Sequence, residues 1–268
     1  MLSEEEKKDF PACILLDVEI AEMDSAFFFF GARESRAGRR RIRRCVIDDG
    51  FNSELVETAF FDGVLEMPRL EAPREIVLPE RLMPFTKRNG SADFSETLVF
   101  YEQDIRFSGI LQNPAAYIDD FRRFRGIVSP DFSLYRDMPL QAQMNNVYRN
   151  RALGCFFQRH GIYVIPNVRW GDERSYTTAV LPECFAFLGV PRHSIVSIGT
   201  YGCIQGEENT RHFRDGLAAM LDHLEPEVVL VYGAMPDRIF SPVADRTRFV
   251  RYPDWISLKK GGCEDGNR

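Results

Sequence analysis

Lysine is the first shortage in this chain of 268 residues. Five lysines stand against 29 arginines, with four histidines and two tryptophans. No run approaches the ~20 consecutive apolar residues that a bilayer-spanning helix requires, so no such helix is expected. The six cysteines, Cys13, Cys45, Cys155, Cys184, Cys203 and Cys263, form no C-x-x-C pair. Their scatter excludes a zinc ribbon and argues against a disulfide scaffold, leaving reduced thiols as the expectation. Close ligand spacing is also missing among His160, His193, His212 and His223. No secretory leader is expected either, because the first nine residues are acidic and hydrophilic with no apolar segment behind a basic start. A soluble, cytoplasmic protein is expected.

What is present is globular: 44% apolar and 28% charged residues with a net charge of -6. The length allows one large domain or a medium one with an appendage. Residues 1–75 read as an irregular N-terminal extension with β-rich segments at 12–20 and 26–30, the second holding four consecutive phenylalanines. Residues 33–44 follow, with seven arginines and one glutamate, the only dense basic run. Pro68, Pro73, Pro79 and Pro84 then punctuate a connecting arm.

From residue 76 to 256 short apolar or β-branched runs alternate with helical stretches, the pattern of a mainly parallel sheet. Strands are predicted at 82–86, 97–102, 126–129, 163–168, 194–199, 228–233 and 248–251. Seven βα-type strands fit either a barrel-like or an open doubly wound sheet. A helix is predicted after Pro139, capped by Asp137 and burying Leu140, Met144, Val147, Tyr148, Ala152, Cys155 and Phe156. A second, over 207–224, buries Phe213, Leu217, Met220, Leu221 and Leu224 and stops at Pro226. Residues 257–268, glycine-rich, read as a flexible tail.

Parallel α/β sheets bind ligands outside the carboxyl ends of their strands, which converts the strand map into a site map. Asp131 follows a short apolar strand, and with Glu102 or Asp104 and Asp172 or Glu173 it forms a carboxylate set suited to acid/base chemistry or to Mg²⁺. The alternative is structural: Asp131 caps a turn and Asp172 pairs with Arg174. In segment 166–176, Asn167 and Arg169 are candidate ligand donors and Trp170 a candidate stacking face. A structural Arg–Asp lock with Trp170 packed over it competes with that reading. Thr200 and Tyr201 sit in a loop whose N–H groups precede a helix, although no Walker A or G-x-G-x-x-G turn is present. Arg149 and Asn150, on the helix after Pro139, are candidate supporting donors over the strand ends.

Four ordered strings, SPDFSLY at 129–135, YRNRALG at 148–154, IPNVRWGD at 165–172 and GTYGC at 199–203, resemble those of a bacterial and phage family, domain of unknown function 4417. The resemblance spans roughly residues 80–256 and implies a phage or mobile-element context. It carries no established activity, so no residue role transfers from it. The expected function is an enzyme acting on a phosphorylated or nucleotide-like small molecule at the strand ends. The competing expectation is a non-enzymatic accessory protein that binds nucleic acid or a host protein through Arg39, Arg40, Arg41, Arg43 and Arg44, whose guanidinium groups would displace counterions from phosphates. The acidic total and the lack of a recognised binding motif weigh against it. That alternative predicts salt-sensitive nucleic-acid binding that disappears when Arg39, Arg40 and Arg41 are changed to Glu; no binding at low salt in a filter-retention assay refutes it.

Overall fold

The computed structural model describes residues 52–261, within the unit Asp48–Arg268. The strands expected at 12–20 and 26–30 and the arginines of 39–44 lie outside the described residues. Helix α1 (Ser53–Val56) opens the described chain, its N-cap Asn52 accepting the Glu54 N–H at 3.1 Å. An antiparallel hairpin follows, β1 (Phe60–Asp62) and β2 (Met67–Arg69). Leu55, Val56 and Leu70 are buried in the same apolar cluster as Phe156 and Phe157. The α/β body therefore begins before residue 75, because these few apolar side chains find their cover only against a distant helix.

All seven strands expected after residue 82 are present. They are β3 (Leu82–Pro84), β4 (Thr97–Val99), β5 (Gly126–Val128), β6 (Val164–Ile165), β7 (Ile195–Gly199), β8 (Val228–Tyr232) and β9 (Arg248–Tyr252). Every pairing among them is parallel and every neighbour is the next strand in the chain, in the sets β3-β4-β5-β6 and β7-β8-β9. A parallel bridge between Asn167 and Ser197 joins the two sets. This is the strand order of a β/α barrel wall, yet no pairing of β9 with β3 closes it. Across that gap the Tyr252 hydroxyl donates to the Pro79 carbonyl at 2.6 Å.

Alternation along the strands separates two faces. On one, Leu82, Val99, Val128, Ile165, Ile195, Leu230 and Tyr252 supply a residue from each of the seven strands to a single cluster. On the other, Val196, Ile198, Val229 and Val231 meet helix α2 (Glu207–Leu224). That helix buries Phe213, Leu217, Met220, Leu221 and Leu224, as its apolar spacing predicts. It ends at Glu225 in the left-handed conformation (φ 45°), one residue before Pro226.

The other long helix, α3 (Leu140–Arg159), departs from expectation at its start. Pro139 rather than Asp137 holds the N-cap position, at φ -51° and ψ 138° and with no side-chain cap. Its buried face also includes the polar Gln143, Asn146, Asn150 and Arg151, because loops as well as strands pack on it. At the far end of the chain, helix α4 (Trp255–Gly261) occupies the first part of the expected flexible tail.

One close approach fixes the position of Trp170. A Cβ built on Gly216 of α2 would collide with the Trp170 indole nitrogen, which donates to the His212 carbonyl at 3.1 Å. Gly216→Ala gains up to ~1 kcal/mol of helix propensity but overpacks this contact at a cost of about 1–3 kcal/mol. The net outcome expected in urea unfolding is a lower midpoint; an unchanged or higher midpoint would show that the indole has room to move.

Candidate functional site

The carboxyl ends of β4, β5, β6 and β7 surround a cavity of about 480 Å³. Asp131 and Arg169 both line it, one from the loop after β5 and the other from the loop after β6. The residues between strand and cavity are held by cross-strand bonds: Asn167 N–H donates to Ser129 Oγ at 2.8 Å, and Val168 N–H to the Ser197 carbonyl at 2.9 Å. These contacts leave little freedom to the side chains that follow.

Asp131 is 3% exposed and both of its oxygens are engaged. Oδ1 accepts from Asn167 Nδ2 at 2.7 Å, and Oδ2 accepts from an Arg169 terminal nitrogen at 2.5 Å. Burial pushes the Asp131 carboxyl above the usual carboxylate range, against the pull of Arg169 and the Asn167 hydrogen bond. Asp104, which accepts from the Ser133 N–H and hydroxyl, adds to the upward push. For Arg169 burial acts against the charged form, but the charges of Asp131 and its neighbours outweigh it, and the guanidinium stays protonated. Its second terminal nitrogen lies 3.7 Å from Cys203 Sγ, and its Nε, fully buried, has no hydrogen-bond partner. Burial also raises the Cys203 thiol, so the sulfur beside Arg169 is a thiol and a poor nucleophile.

Tyr101, after β4, completes the floor. Its hydroxyl donates to Asn167 Oδ1 at 3.1 Å and lies 2.8 Å from Ser197 Oγ. Burial, followed by the Asp131 charge, raises the phenol well above its ordinary value, so it remains a neutral donor. The ring stacks on Tyr232 at 5.1 Å between centroids. Gly199 makes this possible, since a Cβ there would come within 2.6 Å of the Tyr101 ring.

The remaining sequence candidates separate from this pair. Asp172 caps the one-turn helix Glu173–Tyr176 and binds Arg174 through both oxygens, the shortest contact being 2.7 Å. Burial pushes its carboxyl up, but the hydrogen bonds and charge of Arg174 outweigh that and hold it below the usual range. Glu173 is exposed, with its carboxylate 3.5 Å from His212 Nδ1. Trp170 reaches the cavity edge but is packed among Phe187 and Phe213, so its faces are spent in the core. Thr200 is buried and directs its N–H and hydroxyl to the Tyr232 carbonyl, while Tyr201 is exposed at the cavity. Asn150 bonds both the N–H and the carbonyl of Phe132, holding the loop that carries Asp131, and the Arg149 guanidinium lies over the Phe132 ring. The carboxylates grouped for Mg²⁺ have each found another partner, Glu102 by accepting from Thr86 N–H and hydroxyl. Among the described residues, no three His, Cys, Asp or Glu side chains converge as metal ligands.

Sequence reasoning gave no role to Tyr101, Tyr135 or Arg151. Arg151 is the most buried charge in this region and donates to the carbonyls of Asn167, Ala186 and Leu188 at 2.8–2.9 Å. Burial lowers its pKa to about 10, which still leaves it charged at neutral pH. Its signal was available: four residues after Val147, it falls on the apolar stripe of α3.

The profile of a family described as Domain of unknown function (DUF4417) matches residues 59–253. The chain belongs to this family. The DUF4417 span runs from the residue before β1 to the residue after β9 and contains the whole cavity lining. The chain is similar to a Gene 1 protein of Mycobacterium phage L5, 32% identical over 151 residues, which cover 56% of this chain and 61% of the relative. It is also similar to a Gene 1 protein of Mycobacterium phage D29, 33% identical over 138 residues, covering 52% and 48% respectively. The chain thus spans about half to three-fifths of the length of these curated phage relatives. No solved structure matches, and no described helix is long and apolar enough to cross a membrane.

The shifted Asp131 carboxyl has a measurable sign. Its folded pKa lies above the unfolded value, so the group stabilises the fold while protonated, and that contribution is lost as pH climbs through the unfolded and then the folded pKa. The stability of the unaltered protein minus that of Asp131→Asn should therefore fall as pH is raised from below the ordinary carboxylate range in urea titrations. A difference that grows with pH would mean that Arg169 outweighs burial.

Proposed function

We propose that this DUF4417 protein is an enzyme that binds a phosphorylated or nucleotide-like small molecule in the cavity at the strand ends. Arg169 holds the anion and Asp131 moves a proton. The observation that carries this reading is the pairing of a desolvated carboxylate with an arginine whose Nε–H has no acceptor, both on one cavity. A buried donor without a partner is costly, and an anionic oxygen is the acceptor that best matches a guanidinium fork. The cavity is of the size that small-molecule sites favour, ~300–1,000 Å³, and it opens where parallel sheets place their chemistry.

Asp131 suits the proton-transfer role because burial lifts its carboxyl toward the pH at which proton exchange is useful. Asn167 and Arg169 fix its two oxygens, so binding of the anion by Arg169 also changes the charge that Asp131 feels. Tyr101 contributes a neutral hydroxyl near the same centre.

Removing either charge alone strands its partner in a buried place, so the decisive variant is the double change Asp131→Asn, Arg169→Gln. Calorimetric titration with inorganic phosphate and with adenosine monophosphate should show affinity at least about tenfold weaker, a loss of about 1.4 kcal/mol. Binding unchanged in a folded double variant would refute the assignment.

A further inference from the structure

We propose that Tyr135 and Tyr201 form the aromatic mouth of this cavity and select a ligand with a planar ring, so that the ligand is a mononucleotide with its base at the tyrosines and its phosphate at Arg169. The inference rests on the reading of Arg169 as the anion-binding residue and adds the part of the ligand that the arginine does not explain.

The aromatic residues along the cavity fall into two groups. Tyr101 is stacked on Tyr232, and Trp170 and Phe213 are packed against each other in the core. Trp170 and Phe213 are buried, and one face of Tyr101 is taken by Tyr232. Tyr135 and Tyr201 also line the cavity, and they are 56% and 63% exposed. Neither forms a ring contact with another aromatic residue among the described ones. Keeping two large rings in water forgoes the burial that the other aromatic residues here obtain. A planar ligand ring would restore it, since base–aromatic stacking depends on the ring face and not on a hydrogen-bond pattern.

Topology places the two rings on either side of the anion site. Tyr135 belongs to the loop after β5 and Tyr201 to the loop after β7, while Arg169 follows β6, the strand between them in the wall. A ligand anchored at Arg169 thus lies in the sector bounded by the two tyrosine loops. Each loop is also tied down close to its tyrosine. Asn146 Nδ2 donates to the Ser133 carbonyl at 2.7 Å, and the Thr200 N–H to the Tyr232 carbonyl at 3.1 Å.

The test compares three probes, adenosine monophosphate, ribose 5-phosphate and inorganic phosphate, on the unaltered protein and on Tyr135→Ala, Tyr201→Ala and the corresponding Phe variants. Both positions are exposed, so all variants should fold, with melting curves as the check. Adenosine monophosphate is expected to bind at least about tenfold tighter than ribose 5-phosphate. Each Ala change should weaken the nucleotide by about fivefold or more and leave ribose 5-phosphate unaffected, and each Phe change should retain nucleotide affinity. Equal binding of the nucleotide and ribose 5-phosphate, both lost in the Asp131→Asn, Arg169→Gln protein, would overturn the aromatic mouth and leave the anion site standing. Failure of all three probes to bind would overturn both.

Discussion

Asn167 is the residue on which the rest of the structure turns, because its four hydrogen-bonding groups tie together the loop after β5, helix α3 and the segment after β4. Its N–H reaches Ser129 after β5, its carbonyl takes a bond from Arg151 on α3, its side-chain oxygen takes one from Tyr101 after β4, and its amide nitrogen holds Asp131. It also forms the parallel bridge to Ser197 that joins the four-stranded and three-stranded sets. Each buried group left without its partner costs about 1–3 kcal/mol, so losing this one side chain would strand several at once. The seam of the sheet and the floor of the cavity are therefore the same object. A site built on such a seam is preorganised by the forces that keep the wall in one piece.

The scarcity of lysine acquires a physical meaning from three arginines near that seam. Arg151 is buried without a carboxylate and satisfies its planar fork with three backbone carbonyls, a geometry that a lysine ammonium does not match. Arg174 is engaged by Asp172 and by the carbonyls of Arg136 and Met138. Arg169 shares its charge with Asp131 but retains a donor to spare. The same side chain thus appears as a structural cross-link, as a lock on a turn and as a hook, and only the number of acceptors around it tells the three apart.

That distinction also marks what the sequence could and could not disclose. The strands after residue 82 were legible because period-two apolar runs between helical stretches have few other solutions, and Asp131 and Arg169 were legible because polar residues directly after such runs fall on the ligand-binding edge. The pairing of Asp172 with Arg174 is local and was foreseen as an alternative. The packing of Trp170 was legible only as the competing alternative, since what decides it is a missing side chain at Gly216 on another element. Tyr101 and Tyr135 differ by one being stacked and the other exposed, a contrast set by tertiary contacts that no local pattern records. The start of the body was hidden for a similar reason: a three-residue strand pair and a one-turn helix are too short to announce themselves.

The unclosed wall carries a consequence for the chain's behaviour among its own copies. Among the described residues the sheet does not meet itself and has two outer strands, and an unpaired outer strand is a template for pairing with another molecule. On one side β3 is three residues long, fully buried and terminated by Pro84, which has no N–H to offer. On the other, the five residues of β9 place Arg248 and Arg251 in solvent, where desolvating two guanidinium groups would oppose edge-to-edge addition. Among the described residues, brevity guards one margin of the barrel-like wall and charge the other.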